Sequence, residues 1–235
     1  MSSERFAYTG FMLLAALAFL IVRRLTPVPK VKALPRSVRF CLAAAGFVGG
    51  VFGARIPFLL GIDGHSAGWL ADGKTITTGL IGAYLSVELV KWILEVNIKT
   101  GSSFALPVAI AIAIGRWGCF FNGCCFGTPT NLPWGYDFGD GVPRHPTQIY
   151  ESLFHFSMAM IIIQPWVRRT LGDHCFQFYL IGYAGYRFVT EWIRPEPKLY
   201  GGLTFYQIAS LVLAAGLTIQ WIMEVQRSRK QQENR

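Results

Sequence analysis

The stretch SFALPVAIAIAIGRWGCFFNGCCFGTP, Ser103 to Pro129, decides how the rest of the chain is read. It begins as an apolar run and ends in an arginine, an asparagine and three cysteines set among four glycines. An apolar run of this kind approaches the ~20 residues that cross a bilayer as a helix. The surrounding composition points the same way. Of the 235 residues, 52% are hydrophobic and 15% are charged, whereas a soluble domain carries about 25% charge. The chain reads as an all-α integral membrane protein. Its net charge of +9 then bears on topology and anionic lipid. No nucleic-acid-binding motif accompanies that charge, so a nucleic-acid partner is not expected.

Working outward, the hydrophobic pattern predicts about seven spans, at roughly 6–22, 40–61, 76–96, 103–121, 147–167, 175–194 and 203–224. Arg23 and Arg24 follow the first, and no small-x-small cleavage site does, so it reads as an uncleaved span rather than a signal peptide. The prolines of RRLTPVPKVKALPR, Arg23 to Arg36, preclude a continuous helix between the first two spans. Two Asp-Gly pairs mark turns in the 62–75 loop. Asp63, His65 and Asp72 in that loop read as ordinary turn chemistry rather than cation ligands. No repeat, low-complexity tract or internal boundary appears, so a single transmembrane domain over 1–235 is expected.

Orientation follows from lysine and arginine. Arg23, Arg24, Lys30, Lys32, Arg36, Arg39, Lys91, Lys99, Arg168, Arg169, Arg227, Arg229, Lys230 and Arg235 fall on one side of a seven-span count. That side is expected to be cytoplasmic, with the N-terminus outside and the C-terminus inside. The remaining cations are differently placed. Arg116, Arg187 and Arg194 lie in or at the outer ends of spans, Arg55 lies within the second, and Arg144 precedes the fifth. Arginine in hydrocarbon costs about 2.5–3.5 kcal/mol on insertion scales and by default marks function. Guanidinium groups gathered at one face suit an anion, and phospholipid phosphate matches them bidentately.

In FYLIGYAGYRFVTEWIRPEP, Tyr183, Arg187, Glu191 and Arg194 recur at helical spacing and are expected on one stripe. Glu191 would pair with Arg187 or Arg194, and Arg187 is the deeper of the two. Glu88 and Lys91 are expected to pair structurally. In RHPTQIYES, Pro146 suits a first helical turn, Thr147 or His145 would cap it, and Tyr150 and Glu151 follow. Arg144, His145 and Glu151 would lie together, with His145 the natural proton acceptor near neutral pH. Asn122 offers two donors and an acceptor to a headgroup hydroxyl or carbonyl.

Five cysteines occur. Cys41 and Cys175 read as filler. Cys119, Cys124 and Cys125 leave several readings open: a disulfide or packing pair, plain small-residue replacement, or a reactive thiol near Arg116. A metal site is the weakest of them, because no CxxC or HxxxH spacing supplies four ligands. No metal and no cofactor are expected.

These motifs together resemble the prolipoprotein diacylglyceryl transferase family. Its signature, Gly-Arg-x-Gly-Asn-Phe-x-Asn-x-Glu-x-x-Gly, is met by Gly115, Arg116, Gly118, Phe120, Asn122 and Gly127. Its His-Pro-Ser-Gln-Leu-Tyr-Glu segment is similar to His145 through Glu151. Its late Tyr-x-x-x-Arg-x-x-x-Glu-x-x-Arg helix is similar to Tyr183, Arg187, Glu191 and Arg194. The segments GARIPF and GGLTFYQ, Gly201 to Gln207, resemble an early and a late family segment, so the likeness runs over about 45–225.

The resemblance implies a seven-span enzyme of the bacterial inner membrane, with its site facing the outer leaflet. It would move the diacylglyceryl group of phosphatidylglycerol to a thiol acceptor such as a lipoprotein-precursor cysteine. Arg116 and Arg187 would hold the phosphodiester, and His145 would act as the base. Arg55, Asn122, Tyr150, Glu151, Tyr183, Glu191 and Arg194 would bind or orient substrate. Three positions depart from the pattern: Cys119 replaces asparagine, Cys124 replaces glutamate, and Thr77 replaces the histidine of a His-Gly-Gly-Leu-x-Gly stretch. A divergent paralogue with altered acceptor machinery is the expectation. Two rival classes remain. One is a membrane thiol oxidoreductase working through Cys119, Cys124 and Cys125. The other is a non-catalytic protein or transporter that docks anionic lipid.

Overall fold

A computed structural model describes residues 2–62 and 75–233 of the chain. The helices, in order, are α1 (Ser2–Leu25), the short α2 (Pro29–Lys32), α3 (Arg36–Leu59), α4 (Ile76–Ile93), α5 (Ser102–Phe121), α6 (Thr147–Ile163), the short α7 (Pro165–Leu171), α8 (Cys175–Thr190) and α9 (Phe205–Glu233). Two-residue strands β1 (Tyr136–Asp137) and β2 (Pro143–Arg144) pair antiparallel between α5 and α6. The chain is an all-α membrane protein. Five helices among the described residues, α1, α3, α4, α5 and α9, are long and apolar enough to cross a membrane.

The other two predicted spans are shorter than expected. Pro165 ends the fifth at Gln164, leaving α6 with 17 residues and a separate α7. The sixth stops at Thr190 after 16 residues and tightens to a 3-10 turn over Glu191–Ile193. The expectation of Tyr183, Arg187, Glu191 and Arg194 on one helical stripe therefore fails at its end, since Arg194 has left the helix. The Asp63, His65 and Asp72 reading lies outside the described residues.

The chain divides into two compact units. The first comprises Met1–Val28, Thr100–Phe176 and Trp192–Pro195. Here α1 lies against α5 where Gly118 carries no side chain: a Cβ there would stand 3.1 Å from both Phe11 Cβ and Met12 Cε. Phe11 stacks on Phe121, with ring centroids 5.4 Å apart. α5 meets α6 through the Ser152 hydroxyl, which donates to the Ala113 carbonyl at 2.8 Å. α6 inverts the usual polarity of a helix. Thr147, Gln148, Glu151, Ser152 and His155 are buried, whereas Leu153, Phe156, Met160 and Ile163 are exposed. That arrangement is unfavourable in water and natural in lipid, where apolar side chains face hydrocarbon and polar ones face protein.

The second unit comprises Pro29–Lys99, Gln177–Glu191 and Glu196–Arg235. Its centre is the crossing of α3 and α4, made by Gly49 and Gly53 on one helix and Gly82 on the other. A Cβ on Gly82 would stand 2.3 Å from the Gly49 carbonyl oxygen, and one on Gly53 would stand 2.5 Å from that of Thr78. Small residues at four-residue spacing let two backbones approach closely where lipid supplies no hydrophobic drive. Lys91 pairs with Glu88 at 2.9 Å, as expected from their spacing. Tyr84 donates to Gln220 at 2.7 Å, and Lys99 pairs with Glu224 at 2.6 Å, tying α4 and its following turn to α9. The N-terminus of α9 is a capping box: the Thr204 hydroxyl accepts from Gln207 N–H at 3.2 Å, and Gln207 Oε1 accepts from Thr204 N–H at 3.0 Å.

The α3–α4 crossing makes a direct prediction. Gly82→Leu places a branched chain where even a Cβ collides with backbone, so the helices must separate. The detergent-solubilised variant should lose at least the about 1–3 kcal/mol typical of overpacking. The measurement is the thermal unfolding midpoint by tryptophan fluorescence, and an unchanged midpoint would contradict the close crossing.

Candidate functional site

In the first unit the polar groups of α5, α6 and the segment after Thr190 meet on one carboxylate. Arg116, one turn from the end of α5, pairs with Glu151 in the second turn of α6. Arg194 Nη2 donates to the same Glu151 oxygen at 2.8 Å. His155, one turn further along α6, sits with Nε2 3.9 Å from the other Glu151 oxygen. All four side chains are almost fully buried, at 7% exposed or less. Burial is costly for a charge, and sharing one acid offsets that cost for both guanidinium groups. Two positive charges against one negative leave this trio at +1.

Backbone hydrogen bonds hold the adjoining loop in place. Gly127 N–H donates to the His145 carbonyl at 2.8 Å, His145 N–H to Thr128 O at 3.1 Å, and Thr128 N–H to Ile193 O at 2.9 Å. A side chain at Gly127 would meet the Ile193 carbonyl oxygen at 2.5 Å. The glycine is therefore required by close backbone approach. These bonds set His145 beside the start of α6. Its Nδ1 lies 3.3 Å from the Tyr150 hydroxyl, whose oxygen accepts from Trp134 Nε1 at 2.8 Å.

Several expectations change here. Arg194 pairs with Glu151, while Glu191 pairs with Arg187, one of the two partners expected for it. Glu151 faces the two arginines, and Tyr150 meets His145. Neither His145 nor Thr147 caps α6 through its side chain: Pro146 is the N-cap, and the Thr147 hydroxyl donates to Cys125 O at 2.6 Å. Arg144 stands apart from the cluster, bonded to Asp140 at 2.6 Å in the β1–β2 loop. Hydrogen bonds from Arg144, and then from the Val142 backbone, hold the Asp140 carboxyl below the ordinary carboxylate value. Asn122 is the exposed C-cap of α5. His155 was not singled out from the sequence, although its place four residues after Glu151 puts it on the same helical face.

The three cysteines at the end of α5 come together. No disulfide joins them, and their sulfur atoms all lie within 4.8 Å of one another. The turn that does this uses left-handed backbone at Gly123 (φ 62°) and at Cys125 (φ 65°), a conformation uncommon for a residue with a side chain. Gln148 Nε2 donates to Cys124 O at 2.6 Å, beside the Thr147 bond to Cys125 O. Arg116 Nη1 reaches Cys119 Sγ at 3.8 Å. Hydrogen bonds from Cys119 and Cys124, followed by Arg116 and Arg194, hold the Cys125 thiol well below the ordinary thiol value. No CxxC or HxxxH spacing supplies four metal ligands here, and the fold brings three thiols together.

The second unit holds the other expected residues. Arg187 pairs with Glu191 at 3.0 Å and lies over the Tyr206 ring, 5.0 Å from its centroid. Glu191 also accepts from the Thr204 hydroxyl at 3.0 Å. Tyr183 is buried, with its hydroxyl 3.4 Å from that of Thr77, the residue standing where the resembled family has histidine. Arg55 lies at one end of a surface groove of about 380 Å³ lined by Gly46, Phe47, Gly50, Val51 and Ala54.

A helical membrane protein with buried guanidinium–carboxylate clusters defines a class, and comparison of sequences places the chain within it. The family model described as prolipoprotein diacylglyceryl transferase matches residues 6–223. The chain belongs to that family. It is 29% identical over 206 residues to the phosphatidylglycerol–prolipoprotein diacylglyceryl transferase of Clostridium tetani, covering 82% of each chain. It is 34% identical over 145 residues to that of Clostridioides difficile, covering 61% of this chain and 58% of the relative. The Finegoldia magna enzyme of the same name is 34% identical over 151 residues, with 63% and 60% covered. The match thus spans over half the length of the latter two.

The shared carboxylate makes its own prediction. Glu151→Ala leaves Arg116 and Arg194 buried without the acid they share, and should destabilise by about 3–5 kcal/mol. Arg194→Ala, which leaves Arg116 and Glu151 paired, should cost less. Unfolding midpoints in detergent give the order, and the reverse order would contradict the shared pairing.

Proposed function

We propose that this protein transfers the diacylglyceryl group of phosphatidylglycerol to the thiol of a lipoprotein-precursor cysteine, releasing glycerol phosphate. The observation that carries this reading is the convergence of Arg116 and Arg194 on Glu151, beside a loop that presents His145. The phosphodiester carries one negative charge, and a second develops on the phosphate as its bond to the glyceryl carbon breaks. A cationic cluster held in place before reaction stabilises that growing charge more than it stabilises the ground state. The net +1 of the trio suits this role, and guanidinium offers paired donors to phosphate oxygens.

The acceptor must lose a proton, because a free thiol is only slightly ionised at neutral pH. His145 is the base. With Nδ1–H donating to the Tyr150 hydroxyl, Nε2 is left to accept the proton. The phenol oxygen has two lone pairs and can take the Trp134 N–H as well. Glu151 fixes the arginines, and Asn122 meets the headgroup. In the second unit, Arg187 and Arg55 serve the anionic donor, with Tyr183 and Glu191 supporting Arg187. The fourteen cations on one side of a seven-span count support an N-terminus outside, a C-terminus in the cytoplasm and a site at the outer leaflet of the bacterial inner membrane. The polarity of α6 supports its being one of those spans.

The experiment follows transfer from radiolabelled phosphatidylglycerol to a cysteine-containing precursor peptide in proteoliposomes. Arg187→Ala and His145→Ala should each lower turnover at least about 100-fold, the scale of a lost electrostatic or acid–base group, with membrane insertion intact. Full activity in either variant would refute its assignment. No transfer by the wild-type protein would refute the reading itself.

A further inference from the structure

We propose that Cys119, Cys124 and Cys125 form a three-thiolate site for a zinc-class divalent cation, whose fourth coordination position receives the acceptor thiol. The metal site stands on this chain's geometry; the acceptor's place in it rests on the transferase reading above. Tetrahedral zinc with Zn–S bonds of about 2.3 Å sets its sulfurs about 3.8 Å apart. The three sulfurs here already lie within 4.8 Å of one another, within about 1 Å of that spacing.

The backbone is built to hold that arrangement. Adjacent cysteines in a regular helix or strand diverge, whereas the left-handed turn at Gly123 and Cys125 brings both thiols back to Cys119. Cys124 N–H closes the turn on Cys119 O at 3.1 Å. The carbonyls of Cys124 and Cys125 are held by Gln148 and Thr147, both fully buried, at 2.6 Å each. Gln148 and Thr147 thus fix the frame from which the ligands project, in the manner of outer-shell partners at metal sites.

Ligand chemistry chooses the ion. Thiolates select soft and borderline cations and reject magnesium or calcium. Three thiolates on a dication leave one negative charge, and Arg116, 3.8 Å from Cys119 Sγ, stands beside it. The site is also one-sided: Cys119 and Cys124 are half-buried and Cys125 is exposed. Three protein ligands with one open position are the hallmark of a catalytic rather than a structural zinc site.

A thiol that coordinates such an ion is deprotonated. The acceptor S–H gives its proton to His145 and its sulfur binds as thiolate. The sulfur lone pair then forms the C–S bond to the glyceryl carbon while the carbon–oxygen bond to phosphate breaks, its electron pair remaining on the phosphate oxygen. The thioether product is a weak ligand and is displaced by water. No oxidant or reductant enters. Two residues that depart from the family signature, Cys119 and Cys124, thereby replace an amide and a carboxylate by ligands that activate the acceptor directly.

The test uses the full chain, purified in detergent under reducing conditions. Its metal content is measured by mass spectrometry, and cobalt(II) is titrated as a probe. About one zinc per chain is expected, with cobalt giving thiolate charge-transfer bands and the intense visible bands of a tetrahedral site. Cys119→Ser, Cys124→Ser and Cys125→Ser should each weaken those bands and together abolish them. Cys41→Ser with Cys175→Ser should leave them unchanged. Chelation and zinc re-addition on the wild-type protein serve as the measurement that no folding defect can mimic. Absence of stoichiometric metal, equal binding by the triple variant, or a redox-cycling disulfide among the three would overturn the site.

Lipid transfer by the wild type that stops on chelation and returns with zinc supports the acceptor's place. Transfer indifferent to chelation, by protein shown to bind zinc, overturns that place and leaves the transferase reading standing. Bound zinc with no transfer under any condition overturns the transferase reading and the acceptor's place, while leaving the metal site.

Discussion

A charge removed from water must find an opposite charge, and the first unit is arranged around one such debt. Glu151 lies on the buried face of α6 with two guanidinium groups brought to it from α5 and from the segment after Thr190. Neither arginine is tolerable in apolar surroundings alone, and neither is the carboxylate. The requirement for pairing therefore fixes where α5 ends relative to α6, and where the chain must run once it leaves α8. The backbone bonds from Gly127 and Thr128 to His145 and Ile193 draw the intervening loop into the same place.

The same logic explains the polarity of α6. Its interior face carries threonine, glutamine, glutamate, serine and histidine, and its exterior carries leucine, phenylalanine, methionine and isoleucine. In water such a helix would turn over. In lipid the exterior is at no disadvantage, and the interior can be reserved for groups that do chemistry or hold others in place. The α3–α4 crossing in the second unit solves a different problem, because apolar helices gain little from hiding apolar surface in a bilayer. Glycine at the contact allows backbones to touch and dispersion to act at short range.

The cysteine turn stands where the resembled signature has asparagine and glutamate. Gly115, Arg116, Gly118 and Gly127 retain backbone approaches and the ion pair, which are demands of the fold. The local frame is set by Thr147 and Gln148 reaching across from α6 to the carbonyls of Cys125 and Cys124.

Membrane class and the positions of the helical segments were legible in the sequence, because hydrophobic length and charge content are properties of composition read along the chain. Short-range pairs were legible too: Glu88 with Lys91, and Arg187 with Glu191, lie three and four residues apart on helices. The resemblance in three motifs reached the family. What the sequence could not decide was any pairing across distance in the chain. Arg194 looked equally able to meet Glu191, and only the end of α8 at Thr190 sends it to Glu151, 43 residues away. The meeting of Cys119 with Cys124 and Cys125 depends on two left-handed backbone angles that no spacing rule announces. Helix ends and turns of that kind are settled by the contacts around them, and those contacts exist only once the chain has folded.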